Sequence, residues 1–491
     1  MKRYVLTRIL KSILSIFAVV SIVIVMIYTM IPSDKVFDND AGAKKMKGDQ
    51  LVTYKMRKLK ELGYQDYASI NEMCIATFGD NAKACSDGDE AARSQAVDKY
   101  ASKGYAINTL KSGEPYAVHK YRWYELLGRF YSKLLVIDNV NAIKDEENPD
   151  LERKYYWGKN PYNGTPALLC SGCTYKYQLY FDGSFPFIHQ NKFRLDFGTS
   201  FPTSQGVPTL QVINEGQGPN KKVEQNFETG LTEQSALIQT SCQYKFKTDH
   251  LDEKRFNDHY ASCLSYHESP SMVQTSYTLG LIALVIAYAM GIPLGILMAQ
   301  NKDKLVDKVG IAYINLLIAV PSLAFIFFMR SIGTLFGLPD KFPQLGFNDI
   351  RSYIMPVLIL ALLQTPSLMM WLRRYMIDQS NADYVKFARA KGLSQGEIFR
   401  SHILKNAIIP IVNGIPASII LCISGALITE SAFAVPGMGK MLPDAIKTTN
   451  NNMVITLVFI FTTLSILSVL IGDILMTVVD PRISLTEKGG K

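Results

Sequence analysis

Six long apolar runs separated by polar segments constrain the fold of this sequence more than any other feature. A helix rises 1.5 Å per residue, so about 20 apolar residues are needed to cross the roughly 30 Å hydrocarbon core of a bilayer. The first run is too long for a secretory signal and lacks a small-residue cleavage site after it. We therefore predict six transmembrane helices, at about Ile9–Met30, Ser276–Ala299, Gly310–Ile332, Tyr353–Leu372, Ala407–Ala432 and Val454–Val479.

The distribution of Lys and Arg predicts the orientation. Basic residues concentrate at the N-terminus and in segments 300–308 and 373–405, whereas segments 333–352 and 433–452 are poorer in them. The positive-inside rule then places both termini in the cytoplasm and residues 32–270 outside the cell, in a multi-pass protein of the plasma membrane. The net charge of +9 is thus explained by membrane topology and membrane lipid, with no need for nucleic acid.

The predicted extracellular segment is polar and large enough to bury a core of its own. Apolar residues recur with helical spacing in Leu51–Gly63, Glu90–Lys103 and Tyr121–Val136. Thr174–Phe181 alternates like a half-buried strand, and Gln243–Lys247 is a second strand candidate. We expect an α+β domain here.

Six of the seven cysteines lie in this segment, which favours disulfides on the oxidising side of the membrane. The simplest pairing joins sequence neighbours, Cys74–Cys85, Cys170–Cys173 and Cys242–Cys263. Unpaired thiols, or a zinc half-site or redox pair at Cys170 and Cys173, are the alternatives, but a second ligand pair at zinc spacing is missing from the sequence. The seventh, Cys422, falls in a span, where we expect it to act as a small hydrophobe.

Motifs of catalysis are missing from the sequence. It contains no G-x-x-x-x-G-K-[ST] phosphate loop, no H-E-x-x-H zinc motif and no G-x-S-x-G nucleophile elbow. We therefore predict no catalytic residue, no metal site and no cofactor on this chain. If the protein uses ATP, another chain must bind it.

The loop 373–406 has strong helix punctuation. Ser380 with Asp383 resembles a helix cap, Gly392 is a left-handed stop, and Ser394 with Glu397 forms a capping box. The short helix between them has small residues at Ala388 and Ala390 and basic ones at Lys386, Arg389 and Lys391. An amphipathic loop lying on anionic lipid is one interpretation. We favour a rigid protrusion that inserts into the cleft of a partner.

Several motifs of this sequence, in their order along the chain, resemble those of ABC importer permeases of the oligopeptide/dipeptide family. The stretch from Ala388 to Leu393, followed by His402-Ile-Leu404, resembles the EAA loop that contacts the ATPase. The other matching stretches are Arg3-Tyr4 with Arg8-Ile9, Leu195–Ser200, Gly291–Gly295, Glu430–Gly439 and Asp480–Ile483. Two features depart from the family. Lys386 and Lys405 stand where the EAA pattern has Glu and Pro, and the segment after the first span is long, as in Gram-positive permeases of the Ami type.

The resemblance implies an all-α polytopic protein with six transmembrane helices, the type I ABC importer permease fold, plus the extracellular α+β domain. Its implied domains are 1–31 with the first helix, 32–270 outside, 271–485 as the permease core with coupling loop 373–406, and a cytoplasmic tail at 486–491. The implied partners are a second homologous permease, two cytoplasmic ATPases that bind ATP and Mg, an extracellular substrate-binding lipoprotein, and an oligopeptide substrate. The source would be a Gram-positive bacterium.

The resemblance also implies roles for individual residues. Those that would couple to the ATPase are Asp383, Ala388, Arg389, Ala390, Lys391, Gly392 and His402. Candidates for a gate or a helix kink are Gly291, Pro293, Gly295, Glu430, Pro436, Gly437, Gly439 and Asp473. A carboxylate inside the last span is costly unless it faces the bundle interior or is paired, so we expect a gate or structural role for Asp473.

Two other function classes fit the sequence less well. A membrane sensor with a disulfide-stabilised extracellular ligand domain would need a cytoplasmic output domain, yet only 11 residues follow Asp480. A membrane-embedded hydrolase would need paired Asp residues or a His-metal cluster within the spans, which offer chiefly Asp473.

Overall fold

The structure is a computed structural model. It describes residues 2–160, 163–181, 183, 187–227, 229–235, 242–256, 258–264 and 267–479. Contacts between residues divide the chain into two units. The helical unit comprises Met1–Val20, Ser269–Asp444 and Leu457–Lys491, and the mixed unit comprises Ser21–Glu268 and Ala445–Thr456.

Helices and strands alternate along the first 269 residues. After α1 (Lys2–Met30) the helices are α2 (Ala41–Lys45), α3 (Gly48–Glu61), α4 (Ile70–Phe78), α5 (Lys83–Asp87), α6 (Glu90–Ser102), α7 (Trp123–Leu134), α8 (Thr209–Asn214) and α9 (His250–Arg255). Three of them, α3, α6 and α7, correspond to the segments whose apolar spacing predicts helices. Helix α1 is divided between the two units, and the other helices named here lie in the mixed unit together with the described strands β1–β14 and most of β15.

The strands form small sheets, and the pairs whose register is known are antiparallel. They are β1 (Gln65–Ser69), β2 (Ala106–Thr109), β3 (Pro115–Lys120), β4 (Leu135–Ile137), β5 (Lys154–Lys159), β6 (Pro166–Ser171), β7 (Tyr177–Phe181), β8 (Ile188–Gln190), β9 (Phe193–Leu195), β10 (Gln217–Asn220), β11 (Val223–Asn226), β12 (Thr232–Ser235), β13 (Gln243–Tyr244), β14 (Tyr260–Ser262) and β15 (His267–Ser269). The largest sheet has the order β5-β6-β7-β8, and a three-stranded sheet has the order β1-β3-β2. The remaining strands pair two by two.

Three disulfides lie in the mixed unit and link Cys74 to Cys85, Cys170 to Cys173, and Cys242 to Cys263. These are the pairs of sequence neighbours. The first lies in a core that also contains Ile70 and Met73 of α4. Because each disulfide joins residues close in sequence, it fixes the local fold of its own segment.

The described residues after β15 are mainly helical. The helices are α10 (Met272–Gln300), α11 (Leu305–Ala319), α12 (Ser322–Leu335), α13 (Arg351–Ser380), α14 (Asp383–Ala390), α15 (Gln395–Ile398), α16 (Lys405–Ala407), α17 (Ile409–Leu421), α18 (Leu427–Ala432), α19 (Met441–Lys447) and α20 (Asn451–Val479). By length and composition, four helices of the described chain are able to cross a membrane, namely α1, α10, α13 and α20. The number rises to six if the bent pairs α11–α12 and α15/α16–α17 each make one span.

The third predicted span is not one straight helix, so the expectation of a single helix over 310–332 is wrong. Helices α11 and α12 meet at 107°. The break lies at Val320, whose extended backbone (φ −77°, ψ 127°) precedes Pro321. A proline disfavours the helical conformation of the residue before it and lacks the N–H that a continuing helix needs.

The fifth predicted span, 407–432, is also wrong in its extent. The helical path bends by 45° around Ile408, just before Pro410, and α17 ends at Leu421. Beyond it the chain passes through Gly425, whose φ of +72° stops any helix, before the separate short helix α18 begins. The residues after Leu421 therefore do not continue α17 but form a short 3₁₀ helix (Cys422–Ser424) and the separate helix α18.

Small residues let α10 and α13 pack closely. Every fourth residue of α10 along one face is buried, and the series Ala283, Ala287, Gly291 and Gly295 is small throughout. A Cβ on Gly291 would lie 2.9 Å from Leu368 Cβ. Such small-xxx-small spacing is typical of close helix pairs in membranes. Gly291 and Gly295 thus serve helix approach, and α10 continues unbroken through Pro293.

Candidate functional site

The segment between α13 and α17 contains a short helix, α14, with one buried side. Val385 and Ala388 are 0% and 5% exposed, and they pack with Leu372 and Met376 of α13. The small residue Ala388 therefore faces α13 of the same chain. The expectation that it forms part of a small face for a partner is wrong, because helical spacing puts it on the same side as Val385.

Two of the three predicted helix signals in this segment are present. Gly392 follows α14 with a φ of +77°, and Ser394 and Glu397 form a complete capping box at the start of α15. Ser380 is not a cap, because it is the last residue of α13 and its hydroxyl donates to the Ile377 carbonyl. The N-terminal flank of α14 is Ala382, which makes no side-chain cap.

The outer side of α14 carries an aromatic residue that the sequence analysis missed. Phe387 is 70% exposed. Around it lie exposed polar or small positions, namely Asp383, Lys386, Arg389, Ala390 and Lys391. Lys386 Nζ donates to Asp383 Oδ1 at 2.8 Å. The signal was available in the sequence, since an aromatic residue two positions after a buried Val385 falls on another side of the helix.

A π-helical turn, Phe399–Leu404, links α15 to α16. It contains His402, whose ring centroid lies 6.5 Å from that of Tyr384. Ile403 of this turn is buried in the same cluster as Val385. The turn therefore joins α14 to the start of the fifth span through packed side chains.

A second cluster surrounds the carboxylate of Glu430 in α18, which is 3% exposed. It accepts hydrogen bonds from the hydroxyl of Ser276 at 2.7 Å, the amide of Ala426 at 3.1 Å and the amide of Gly439 at 2.8 Å. The Ser276 oxygen in turn accepts from the Met438 amide at 2.7 Å. This network connects α10 to the turn after α18. In its described hydrogen bonds, every donor is a neutral hydroxyl or backbone amide.

The glycines of this turn leave room for the carboxylate. A Cβ on Gly437 would lie 2.5 Å from Glu430 Oε2 and 2.6 Å from Ser276 Oγ. A Cβ on Gly439 would lie 2.8 Å from Glu430 Oε2. The turn Pro436–Gly439 is therefore closed around a buried charge. Its use as a gate stays a prediction.

A cavity of about 200 Å³ lies beside this cluster in the helical unit. Its polar lining includes Ser276, Gln364, Ser418 and Glu430, and its other walls are apolar side chains such as Leu279. The mixture of a few polar groups with apolar walls is typical of small binding cavities.

An ion pair joins the first and last membrane helices. Arg8 of α1 donates to the carboxylate of Asp473 in α20. This pairing offsets part of the desolvation cost of a carboxylate within the span, and a role of Asp473 in a gate stays a prediction. The predicted C-terminal motif 480–483 and tail 486–491 lie outside the described residues.

A further ion pair was not foreseen from the sequence. Arg373 near the end of α13 donates to both oxygens of Asp307, at 2.6 and 2.7 Å, and the Asp307 side chain is fully buried. Asp303, with a φ of +66°, donates its amide to the same carboxylate at 2.9 Å. The pair fixes the 301–304 turn to α13, just before the segment that leads into α14. Residues 66 positions apart give no local signal of such a contact.

The family motif Leu195–Ser200 has a partner in the mixed unit that the sequence also left unassigned. Asn452 Nδ2 donates to the Thr199 carbonyl at 2.9 Å, and Asn450 Nδ2 donates to Ser200 Oγ at 2.7 Å. Gly198 has a φ of +81°, and a Cβ at this position would collide with the side chain of Asn452. The three Asn residues 450–452 are all buried, and nothing in the sequence marks residues 199 and 200 as their partners.

Among the described residues, no group of three or more His, Cys, Asp or Glu side chains has the arrangement of a metal site. The polar clusters of the helical unit hold a turn or join helices.

Comparisons with known proteins give the family. The family described as binding-protein-dependent transport system inner membrane component matches residues 291–485. The oligopeptide transport system permease protein AmiC of Streptococcus pneumoniae is 42% identical over 501 aligned positions, which cover 100% of both chains. The segment 32–270, which lies outside the family match, is thus shared with this relative.

More distant relatives cover less of the chain. The dipeptide transport system permease protein DppB of Lactococcus lactis is 30% identical over 43% of this chain and 69% of its own length. The crystal structure of an amino acid ABC transporter with histidines has 17% identity, covers 43% of this chain and 92% of its own, and has a TM-score of 0.33, which is too low to support an argument. Because AmiC is similar along the entire length, this protein belongs to the oligopeptide/dipeptide permease family of ABC importers.

Proposed function

We propose that this chain is one permease subunit of an ATP-driven importer that moves oligopeptides across the plasma membrane. The full-length similarity to an oligopeptide permease supports this substrate class. In this proposal both termini are cytoplasmic and residues 32–270 are extracellular. A second permease completes the pore, two ATPases bind ATP and Mg in the cytoplasm, and a lipid-anchored binding protein delivers the peptide.

The observation that carries the proposal is the two-sided helix α14. Its inner side is packed into the permease through Val385 and Ala388, and its outer side exposes Phe387 between charged residues. An exposed aromatic anchor with a basic surround is suited to a cleft on another protein, because aromatic side chains supply much of the binding free energy at interfaces. We infer that Phe387 enters a cleft of the ATPase and that Arg389 and Lys391 pair with its acidic residues.

Force applied to α14 would reach the membrane helices through packed side chains. The cluster around Val385 includes Met376 of α13, Ile403 of the π-helical turn and Ile411 of α17. Dense packing transmits displacement because such clusters yield little to compression. Closure of the ATPases would then tilt α13 and α17 together and open the path on the other side.

The test compares matched glycine variants in the assembled transporter. Gly392→Val places a β-branched residue at a φ of +77°, whereas Gly396 is an exposed position of helix α15 with open space around it. We expect Gly392→Val to insert normally but to lower peptide uptake and peptide-stimulated ATP hydrolysis by about tenfold or more, because a left-handed L-residue costs about 1–2 kcal/mol and displaces α14. Gly396→Val should remain near wild type.

The variant Phe387→Ala separates docking from folding. Because Phe387 is exposed, its loss should leave thermal stability unchanged while it weakens co-purification of the ATPases. Normal uptake by Gly392→Val, together with normal ATPase binding by Phe387→Ala, would refute the assignment of α14 as the coupling element.

A further inference from the structure

The four-stranded sheet of the mixed unit has one buried face and one apolar face that is open. Directly paired residues of neighbouring strands share a face. Tyr156, Leu169 and Tyr177 are paired in register on the buried face. The opposite face carries the row Trp157–Leu168–Leu179–Gln190, one residue from each strand, and Trp157 is 67% exposed.

A cavity of about 490 Å³ opens on this second face. Leu168, Leu179 and Phe193 give it apolar walls, and Tyr155, Lys192 and Gln178 add polar groups. This volume lies in the range of small-ligand sites and is too small for a folded partner domain. Neither the family match at 291–485 nor the coupling helix accounts for it.

Gln178 is a buried amide with one unused end. It is 1% exposed, and its Nε2 donates to Asp138 Oδ2 at 3.0 Å and to the Tyr175 carbonyl at 2.8 Å. Both partners are acceptors, so they fix the orientation of the amide. Its Oε1 is buried and receives no hydrogen bond from the part of the chain that the structure describes. A buried acceptor without a donor is unfavourable, and a ligand N–H would relieve it.

The buried Asp138 holds this amide in place. Its carboxylate also accepts from the amides of Thr174 at 2.8 Å and Tyr175 at 2.9 Å. Asp138 is 2% exposed, so its three hydrogen bonds are shielded from water. Gln178 is therefore rigidly oriented before any ligand arrives.

Lys192 supplies a cation at the same cavity. Its ammonium lies 4.6 Å from the centroid of the Tyr155 ring and donates to the Tyr155 hydroxyl. An ammonium has three donors, so others are available for an anionic ligand group. The cavity thus combines apolar walls, a cation and an acceptor.

We propose that this cavity binds the carboxyl-terminal residue of an extracellular oligopeptide. The apolar side chain of that residue lies between Leu168, Leu179 and Phe193, its N–H donates to Gln178 Oε1, and its carboxylate pairs with Lys192. A single terminal residue supplies all three groups, whereas a fatty acid offers no N–H. The inference deepens the proposed function, on which it rests for the substrate class and for the extracellular location.

The experiment measures peptide binding to the assembled transporter in lipid nanodiscs, without the binding protein. The probe is Ala-Ala-Phe, compared with its C-terminal amide and with the analogue methylated at the last peptide nitrogen. We expect the amide and the N-methyl peptide each to bind about tenfold more weakly than the free acid, because each loses one hydrogen bond to a buried or charged partner. Fluorescence of Trp157, beside Leu168 in the sheet, reports the binding, and Trp157→Phe should abolish that signal.

Two lysine variants assign the carboxylate. Lys192→Gln should bind the free acid and the amide equally, about tenfold more weakly than wild type binds the acid. The matched control Lys159→Gln changes an exposed lysine of β5 that does not line the cavity, and it should keep the tenfold preference for the acid. Loss of preference in Lys192→Gln alone would identify the cation as the carboxylate partner.

The outcomes separate this inference from the proposed function. Equal binding of all three peptides to wild type, or binding only when the binding protein is present, would overturn the cavity as a peptide site. Uptake of the same peptide in cells tests the proposed function by itself. If uptake is normal but the cavity shows no peptide binding, only the inference fails. Absence of peptide uptake in wild type refutes the proposed function.

Discussion

Two turns of the helical unit contain a glycine for different physical reasons. Gly392, after α14, has a φ of +77° and open space where a Cβ would stand. Gly437, after α18, has an ordinary extended φ of −123°, but a Cβ there would collide with the Glu430 carboxylate. The turn at Gly392 requires glycine for its left-handed backbone conformation. The turn at Gly437 requires glycine because a side chain there would occupy the space of the Glu430 side chain. The first leaves an exposed helix available to a partner, and the second closes around a buried charge.

The largest expected effect comes from removing the charge at the centre of the closed turn. Glu430→Ala leaves the Ser276 hydroxyl and the amides of Ala426 and Gly439 without their acceptor. Because each buried unpaired donor costs about 1–3 kcal/mol, we expect a loss of about 3 kcal/mol or more in the free energy of unfolding. Thermal unfolding in detergent measures it.

The comparable change beside the exposed turn at Gly392, called the open turn below, is Glu397→Ala. This variant removes the carboxylate of an exposed capping box. Water can replace its hydrogen bonds, so its effect on the unfolding midpoint should be clearly smaller. Equal losses in the two variants would mean that the closed turn is no more stabilising than an ordinary helix cap.

An intermediate effect is expected when alanine replaces each glycine. Gly437→Ala forces the carboxylate to move, and overpacking of this kind costs about 1–3 kcal/mol. Gly392→Ala meets no atom and costs about 1 kcal/mol for the left-handed conformation alone. Denaturation of both variants measures these costs.

Asparagine distinguishes the two reasons further, because it tolerates the left-handed region better than other L-residues. Gly392→Asn should therefore be nearly as stable as wild type, while Gly437→Asn should be worse than Gly437→Ala. If Asn were better than Ala at position 437, the requirement there would be conformational and not steric.

The smallest expected effect is the pH dependence of the stability of α14, the helix before the open turn. A hydrogen bond and charge attraction from Lys386 hold the pKa of the exposed Asp383 carboxyl below its usual value of 3.8. Since the pKa is lowered in the folded state, the stabilisation is present above the usual value and is lost as pH falls through the lowered one. Hydrogen exchange of α14 amides should be slower in wild type than in Lys386→Ala at neutral pH.

That difference in exchange should vanish when Asp383 is protonated in both proteins. A difference that persisted at a pH well below 3.8 would show that Lys386 protects α14 through packing of its methylene chain. The Glu430 turn offers no such exposed pair among its described hydrogen bonds.

Hydropathy predicted where the membrane helices lie, because burial in lipid demands long apolar runs whatever their partners. It misjudged the third and fifth spans, since Pro321 and Gly425 interrupt runs whose composition is mostly apolar. The backbone conformation at one residue decided the outcome in each case. Helix ends in segment 373–406 were predicted better because Gly392 and the Ser394–Glu397 box act locally.

Contacts between distant residues were beyond prediction. The pairing of Arg373 with Asp307 and of Asn450 with Ser200 depends on how helices and loops pack, and neither residue of a pair marks the other in the sequence. The direction of Ala388 was missed for a related reason. A small residue on a helix can pack equally well against its own protein or against a partner. Only the burial of the neighbouring Val385 shows that Ala388 faces its own protein.

The three disulfides have a consequence for biogenesis. Each closes a stretch of at most 21 residues, and the last cysteine involved, Cys263, precedes the second membrane helix at Met272. Every cross-link partner has therefore been synthesised before the ribosome begins the bulk of the membrane helices. Oxidation of this segment can proceed in the order of translation, with no cysteine waiting for a partner from the later half of the chain.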